Sequence, residues 1–73
     1  MSNNEELLDI LADDYGYADQ ITMLEDAVMD SVVPSICTNC YFTTDMEPDQ
    51  DKGWCEDCHN RTVKSCLVLA GVI

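Results

Sequence analysis

A small α+β domain, with helices first and a short sheet after them, is the fold class that the sequence predicts. Three observations support it. The chain has 73 residues, enough for one domain whose core is marginal without further stabilisation. Apolar residues recur at helical spacing up to residue 33, whereas cysteine, aromatic and turn residues dominate from residue 34. Two Cys-x-x-Cys pairs stand 14 residues apart in that second part. We therefore predict a helical hairpin over residues 1–33 and a metal-binding module over residues 34–73, packed as one compact unit.

The first predicted helix carries its apolar residues on one face. Asn3 or Asn4 is available as its N-terminal cap. Gly16 is expected to end it, because glycine adopts the left-handed conformation of a helix C-terminus at little steric cost. The apolar face is formed by Leu7, Leu8, Leu11 and Tyr15, with Ile10 beside it.

A second helix is predicted to begin after Asp19, whose side chain can cap it. Pro34 is expected to stop this helix, since the residue before a proline is disfavoured in helical conformation. The short apolar linker 31–36 should then hold the hairpin against the metal module. The expected apolar stripe is Ile21, Leu24, Ala27 and Val28, with Val32 as an extension.

The charge of the chain is strongly negative and unevenly distributed. Fifteen acidic residues face three basic ones, which gives a formal net charge of -12. The first 30 residues contain nine carboxylates and no lysine or arginine. Direct binding to nucleic acid is disfavoured, since it depends on Lys and Arg displacing counterions from phosphates. The same argument excludes a DNA-reading helix-turn-helix, which the two helices resemble in outline.

An acidic surface of this kind favours a basic protein partner, such as one that otherwise holds nucleic acid. A merely solvated acidic face is the alternative. The residues predicted to contact the partner are Asp13, Asp14, Glu25 and Asp26.

The two cysteine pairs predict one metal site. Each pair places two sulfurs on one tight turn, and the loop between the pairs lets the turns face each other across a single ion. Four thiolates in this pattern are typical of structural zinc, with Zn–S bonds of about 2.3 Å. A site closed by four protein ligands has no position for a reactive water, so no enzymatic activity is expected from it. The predicted Zn²⁺ ligands are Cys37, Cys40, Cys55 and Cys58.

The residues around these pairs predict short strands and a turn. Tyr41–Thr44 has strand composition, and Glu47–Gln50 followed by Lys52-Gly53 has turn composition. The aromatic residues Tyr41, Phe42 and Trp54 are expected to form a small core beside the metal. The apolar end, residues 62–73, is too short to cross a bilayer and should pack on the helices or form a homodimer contact.

From Ile36 to Ile73 the order of knuckle, strand, turn, strand, knuckle and closing element resembles a zinc ribbon. In that family the residue after each second cysteine is often glycine, and here the positions hold Tyr41 and His59. The whole chain also looks like small bacterial and phage proteins with a stretch such as Glu47-Pro48-Asp49-Gln50 before Gly53-Trp54-Cys55. The resemblance implies an architecture and leaves the function open.

Other chemistries for these residues remain open as alternatives. Cys55-Glu56-Asp57-Cys58-His59 matches the attachment signature of c-type haem, and His59 could replace a cysteine at zinc. The five cysteines could form disulfides, although their odd number and a start without a signal peptide favour a reducing cytoplasm. Calcium binding is disfavoured because no EF-hand register fits the alternating carboxylates Asp45, Glu47, Asp49 and Asp51.

Binding is the function class that these features favour. The leading hypothesis is a cytoplasmic, non-enzymatic zinc protein that acts as an adaptor or inhibitor by docking its acidic face on a basic protein, in the manner of phage anti-defence proteins. The alternative is a transcription accessory factor whose zinc ribbon contacts RNA polymerase. A weaker third class is a redox enzyme that uses the cysteine pairs.

Overall fold

The computed structural model describes residues 4–73, so the candidate cap Asn3 lies outside the described residues. An antiparallel sheet with strand order β2-β1-β3 is combined with three helices in this part of the chain, which confirms the α+β class. The elements in chain order are α1 (Asn4–Asp14), α2 (Gln20–Ala27), β1 (Val33–Cys37), β2 (Thr43–Met46), β3 (Val63–Ser65) and α3 (Cys66–Leu69).

The first helix buries the predicted face, and it ends at the predicted glycine. Leu7, Leu8 and Leu11 are buried, whereas Tyr15 lies just beyond the helix. Gly16 has a φ of 78°. The amide of Tyr17 donates to the carbonyl of Ala12 at 2.8 Å, and the amide of Gly16 donates to Asp13 at 3.1 Å. These two bonds form a Schellman motif, which satisfies the last carbonyls of α1.

The second helix has the predicted cap but buries only part of the predicted apolar stripe. The Asp19 carboxylate accepts a hydrogen bond of 2.8 Å from the Thr22 amide. Ala27 of the stripe is buried and Leu24 packs half-buried against the core, whereas Ile21 and Val28 are 69% and 55% exposed. Met23, which was not part of the predicted stripe, is fully buried. The helix carries two apolar stripes, and its rotation is set by tertiary contacts such as the 2.6 Å hydrogen bond from Gln20 Nε2 to Asp9 Oδ1 on α1.

The segment predicted as a linker contains the central strand of the sheet. The expectation that Pro34 stops α2 is wrong, because α2 already ends at Ala27 and Pro34 lies in β1 opposite Asp45. β3 pairs with β1 only from Ser35 onward, so Pro34 lies where β1 has a single neighbouring strand. A proline is tolerated there because one side of the strand needs no ladder hydrogen bond. The predicted boundary between residues 33 and 34 thus falls inside β1.

The strands after the first cysteine pair differ from those predicted, the first in position and the second in length. β2 begins at Thr43 rather than Tyr41, and the second expected strand is reduced to a bridge between Gly53 and Val63. The turn over Glu47–Gln50 is present, with the Gln50 amide donating to the Glu47 carbonyl at 3.0 Å. After β3, the Ser65 hydroxyl accepts a 3.2 Å hydrogen bond from the Val68 amide and caps α3. The apolar end of the chain is therefore strand followed by helix.

Two apolar clusters share the central strand. The larger cluster, the helical core, joins the three helices to β1 and includes Leu11, Met23, Ile36 and Leu67. The smaller one, the metal-side core, contains Cys37, Cys55 and Val63, with Phe42 and Met46 packed against it. Ile36 and Cys37 are neighbours in the chain and lie in different clusters. β1 therefore joins the helical core directly to the metal-side core. Between residues 4 and 73, no helix is long and apolar enough to cross a membrane.

Candidate metal centre

The two Cys-x-x-Cys turns have the same backbone geometry. In the first turn the Cys37 amide donates to Phe42 at 2.8 Å, and the Tyr41 amide donates to Cys37 at 3.0 Å. The second turn repeats both bonds one for one. Its Cys55 amide donates to Asn60 at 2.8 Å, and its His59 amide donates to Cys55 at 2.9 Å. We call these turns knuckle 1 (residues 37–42) and knuckle 2 (residues 55–60).

Each knuckle depends on a residue in left-handed backbone conformation. Tyr41 has a φ of 68° and His59 a φ of 59°, and both occupy the position directly after the second cysteine. This conformation turns the chain so that the next carbonyl can accept from the first cysteine. Non-glycine residues adopt it at a cost of about 1–2 kcal/mol. Tyr41 and His59 thus stand where glycine is often found and still preserve the knuckle geometry.

The knuckles bring four sulfur atoms together. The Sγ atoms of Cys37, Cys40, Cys55 and Cys58 all lie within 4.8 Å of one another. Sulfurs of opposite knuckles are adjacent, with Cys37 and Cys58 at 3.6 Å and Cys40 and Cys55 at 3.5 Å. A tetrahedral ion with bonds of about 2.3 Å to sulfur requires separations of about 3.8 Å between its ligands. The cluster can therefore bind a metal ion, and all five cysteines of the chain are free of disulfide bonds.

Hydrogen-bond donors surround the sulfurs. Cys37 Sγ accepts from the amides of Asn39 at 3.3 Å and Cys40 at 3.4 Å, and Cys55 Sγ accepts from the Cys58 amide at 3.4 Å. Two side chains that the sequence analysis missed add to this set. Thr62 Oγ1 lies 2.9 Å from Cys37 Sγ, and Asn60 Nδ2 donates to Cys58 Sγ at 3.6 Å. Such outer contacts orient metal ligands and spread their negative charge. Asn60 could have been suspected from its position in the knuckle, whereas Thr62 becomes a neighbour only through the fold.

Three of the four thiols have shifted pKa values. Burial opposes ionisation of Cys37, but hydrogen bonds from Thr62 and the knuckle amides outweigh it and lower its pKa. A contact with Asn39 is the main reason that the pKa of Cys58 falls to about 6. A contact with Phe42 favours the Cys40 thiolate, yet burial and the three neighbouring sulfurs raise the pKa of Cys40 to about 12. Crowded thiolates repel one another, and a bound cation would remove that repulsion.

Several residues predicted to act near the metal have other surroundings. The expectation of an aromatic core is wrong for Tyr41 and Trp54, which are 42% and 50% exposed, and holds only for Phe42. Tyr41 is the αL residue at the outer edge of knuckle 1, which explains its exposure. The rings of Trp54 and His59 lie 6.0 Å apart between centroids. The carboxylates considered for calcium, Asp45, Glu47, Asp49 and Asp51, are all exposed.

The acidic residues predicted to contact a partner are all at the surface. Asp13, Asp14, Glu25 and Asp26 are exposed near the C-terminal ends of their helices. Asp14 is also used within the fold, since its Oδ2 accepts a 2.6 Å hydrogen bond from the Thr43 hydroxyl. Each of the fifteen acidic residues of the chain is exposed. The acidic residues therefore all lie at the surface, although Asp14 and some others also make hydrogen bonds within the fold.

Replacing His59 tests the knuckle geometry and its role at the metal together. We expect His59→Gly to be more stable than His59→Val by about 2 kcal/mol, because a β-branched residue is strongly disfavoured in left-handed conformation. Urea unfolding of both metal-loaded variants measures the difference. Both variants lose the Trp54 contact equally, and both should keep the bound metal.

Glu56, in the same turn but without a positive φ, provides the matched control. There the glycine variant should be no more stable than the valine variant. Loss of metal from both His59 variants would instead show that the imidazole is a ligand.

The arrangement as a whole is a closed site of four cysteines. Tetrahedral four-sulfur sites suit zinc or iron, and with four protein ligands they leave no open coordination position. The cluster and the surrounding short strands are consistent with a small domain like a zinc ribbon. Comparison with protein-family models, with curated proteins and with solved structures finds no match to the chain. The geometry of the chain is therefore the basis for its functional interpretation.

Proposed function

We propose that this protein is a non-enzymatic, zinc-stabilised adaptor or inhibitor that docks through the acidic surface of its helices on a basic protein. A partner surface that otherwise holds nucleic acid would have the required positive charge. The distribution of charge over the helices carries this proposal, and the metal centre supplies the stability that such a small chain needs.

Zinc is the ion proposed for the four-sulfur cluster. Its ligands stand at separations close to those of a tetrahedral site, and its loading would fix both knuckles at once. Zinc bound by four thiolates would bring the net charge of the protein from -12 to about -14. Without an open coordination position, the ion would hold structure and would not activate water. This property supports a binding protein rather than a metalloenzyme.

The acidic surface is concentrated on the helical part of the protein. All nine carboxylates among the first 30 residues are exposed, and no lysine or arginine lies among these residues. The three basic residues, Lys52, Arg61 and Lys64, belong to the metal-binding part. Such a one-sided charge creates a negative potential that steers a basic partner and favours its correct orientation.

Charge reversal on the helices tests the proposal. The quadruple variant Asp13→Lys, Asp14→Lys, Glu25→Lys and Asp26→Lys should weaken binding to the partner by at least about tenfold, since like charges then face each other. The partner is first identified by affinity capture and mass spectrometry, and its affinity is then measured by titration calorimetry at low and high salt. Binding of the unchanged protein should weaken steeply as salt rises, because mobile ions screen charges beyond about 10 Å at 0.1 M.

A control variant with the same change in charge separates a specific face from net charge alone. It carries Lys at Asp49, Asp51, Glu56 and Asp57, which are also exposed but lie in the metal-binding part. We expect it to keep most of the affinity, and both variants to keep their metal and their circular dichroism spectrum. If the affinity did not depend on salt and was unchanged in both quadruple variants, the proposal would be overturned. The acidic face would then be only a solvated surface.

A further inference from the structure

A cavity of about 310 Å³ lies where the end of α1, the loop after α2 and the β1–β2 pair meet. It is open on one side, and its volume is at the lower end of that of small-ligand pockets. Two tyrosines, two aspartates and a serine line it together with two apolar residues. The seven are Tyr15, Tyr17, Asp30, Ser31, Val32, Pro34 and Asp45.

A hydrogen bond joins two polar groups of the cavity. The Tyr15 hydroxyl donates to Asp45 Oδ1 at 2.8 Å across 30 positions of sequence. This bond orients the Asp45 carboxylate and does not use its second oxygen. Tyr17 interacts electrostatically with the Asp26 carboxylate on α2. Both tyrosines thus lie beside carboxylates.

The potential inside the cavity is negative. Burial, and then the hydrogen bond and charge of Asp45, raise the pKa of Tyr15 well above its ordinary value. Burial and the carboxylates of Asp26 and Asp30 raise the pKa of Tyr17 in the same direction. None of the three basic residues of the chain lines the cavity.

We propose that this cavity binds the side chain of an arginine from the partner protein. The inference rests on the proposed docking function, and it names one contact of that interface. A guanidinium is planar, remains charged at every physiological pH, can stack on a tyrosine ring and can pair with a carboxylate through two parallel hydrogen bonds. The aromatic rings and carboxylates of the cavity supply both kinds of contact.

The apolar residues of the cavity suit the rest of that side chain. Pro34 is buried and Val32 is half-exposed at the rim, so they can cover the methylene groups of an entering arginine. Buried arginine side chains are common anchors of protein interfaces, because they combine contact area with charge. The surrounding acidic surface would raise the local concentration of such a partner.

Nuclear magnetic resonance titration of the metal-loaded, 15N-labelled protein tests the inference. The probe is N-acetyl-arginine amide, and the control probe is N-acetyl-citrulline amide, which has the same shape but no charge. We expect saturable shifts of the amide signals of Tyr15, Tyr17, Asp30, Val32 and Asp45 with the arginine probe, at a dissociation constant of about 1–10 mM for so small a ligand. The citrulline probe should produce little change.

Two matched double variants locate the site. Asp30→Asn with Asp45→Asn should weaken the arginine probe at least about fivefold, although an asparagine at position 45 can still accept from Tyr15. Asp49→Asn with Asp51→Asn removes the same charge from the exposed loop after β2 and should leave the affinity unchanged.

Equal shifts from both probes, or equal weakening by both double variants, would overturn the arginine site. Failure of the docking function would have a different signature. In that case no partner would show the dependence on salt and charge reversal described above, irrespective of whether the arginine probe binds to the cavity. Conversely, charge-dependent partner binding without any probe shift would remove the cavity from the interface and keep the docking function.

Discussion

Replacement of any one of Cys37, Cys40, Cys55 or Cys58 by serine is expected to abolish tight metal binding and to unfold at least the metal-binding part of the protein. Structural zinc contributes an apparent binding free energy of about 10–16 kcal/mol in small modules, and this becomes folding free energy. Losing one of four thiolates forfeits much of that stabilisation. Metal analysis by mass spectrometry should give one zinc per chain for the unchanged protein and far less for each variant. Circular dichroism and amide signal dispersion should decrease in parallel.

Cys66 provides the control for this prediction. Its thiol is buried in the helical core, away from the four-sulfur cluster, and burial raises its pKa to about 11. Cys66→Ser should therefore lower stability through its buried hydroxyl and still bind one zinc per chain. Equal zinc loss from the Cys66 variant, or iron in place of zinc in the unchanged protein, would contradict the assignment.

The second large effect is expected at Met23, in the helical core. Met23 is 0% exposed, and truncation to alanine should cost about 2–5 kcal/mol, since it removes buried methylene groups and leaves a cavity. A domain of this size has a stability of only about 5–15 kcal/mol, so the urea midpoint should fall sharply. The measurement is urea unfolding of the metal-loaded protein, followed by circular dichroism.

Ile21→Ala is the matched control, because it truncates an apolar side chain of the same helix that is 69% exposed. Its effect should remain within about 0.5 kcal/mol. The apolar stripe expected from the sequence predicts the reverse order of the two variants. A larger loss for Ile21 than for Met23 would therefore mean that α2 is rotated from the orientation described above.

Features encoded by neighbouring residues were predictable from the sequence. The Asp19 cap and the Gly16 helix end each depend on atoms within a few positions, and both are present. The clustering of the four cysteines followed from spacing alone, because two tight turns and one loop leave little freedom. Leu7, Leu8 and Leu11 were identified as buried because α1 has a single apolar face.

Features set by distant contacts were not predictable in the same way. The rotation of α2 depends on its contact with α1. Which apolar residues α2 buries could therefore not be predicted from the sequence of the helix alone. Pro34 indicated a helix end, yet β1 accommodates it where only β2 is a neighbour. Thr62 reaches Cys37 across 25 positions, and no local pattern marks that pairing. The predicted docking face is a property of a complex, and it stays a prediction.

Knuckle 1 is also the turn of the hairpin between β1 and β2, whose innermost pair is Ile36 and Thr43. This placement has a consequence for the order of folding. Hairpins form within about 1–10 μs, so the first two sulfurs can be brought together before any distant contact exists. Recruiting knuckle 2 then requires closure of the 14-residue loop between Cys40 and Cys55, whose entropic cost grows only slowly with length. We expect the ion to bind first at knuckle 1 and to close the loop afterwards, so that metal capture guides the slower pairing of β1 with β3.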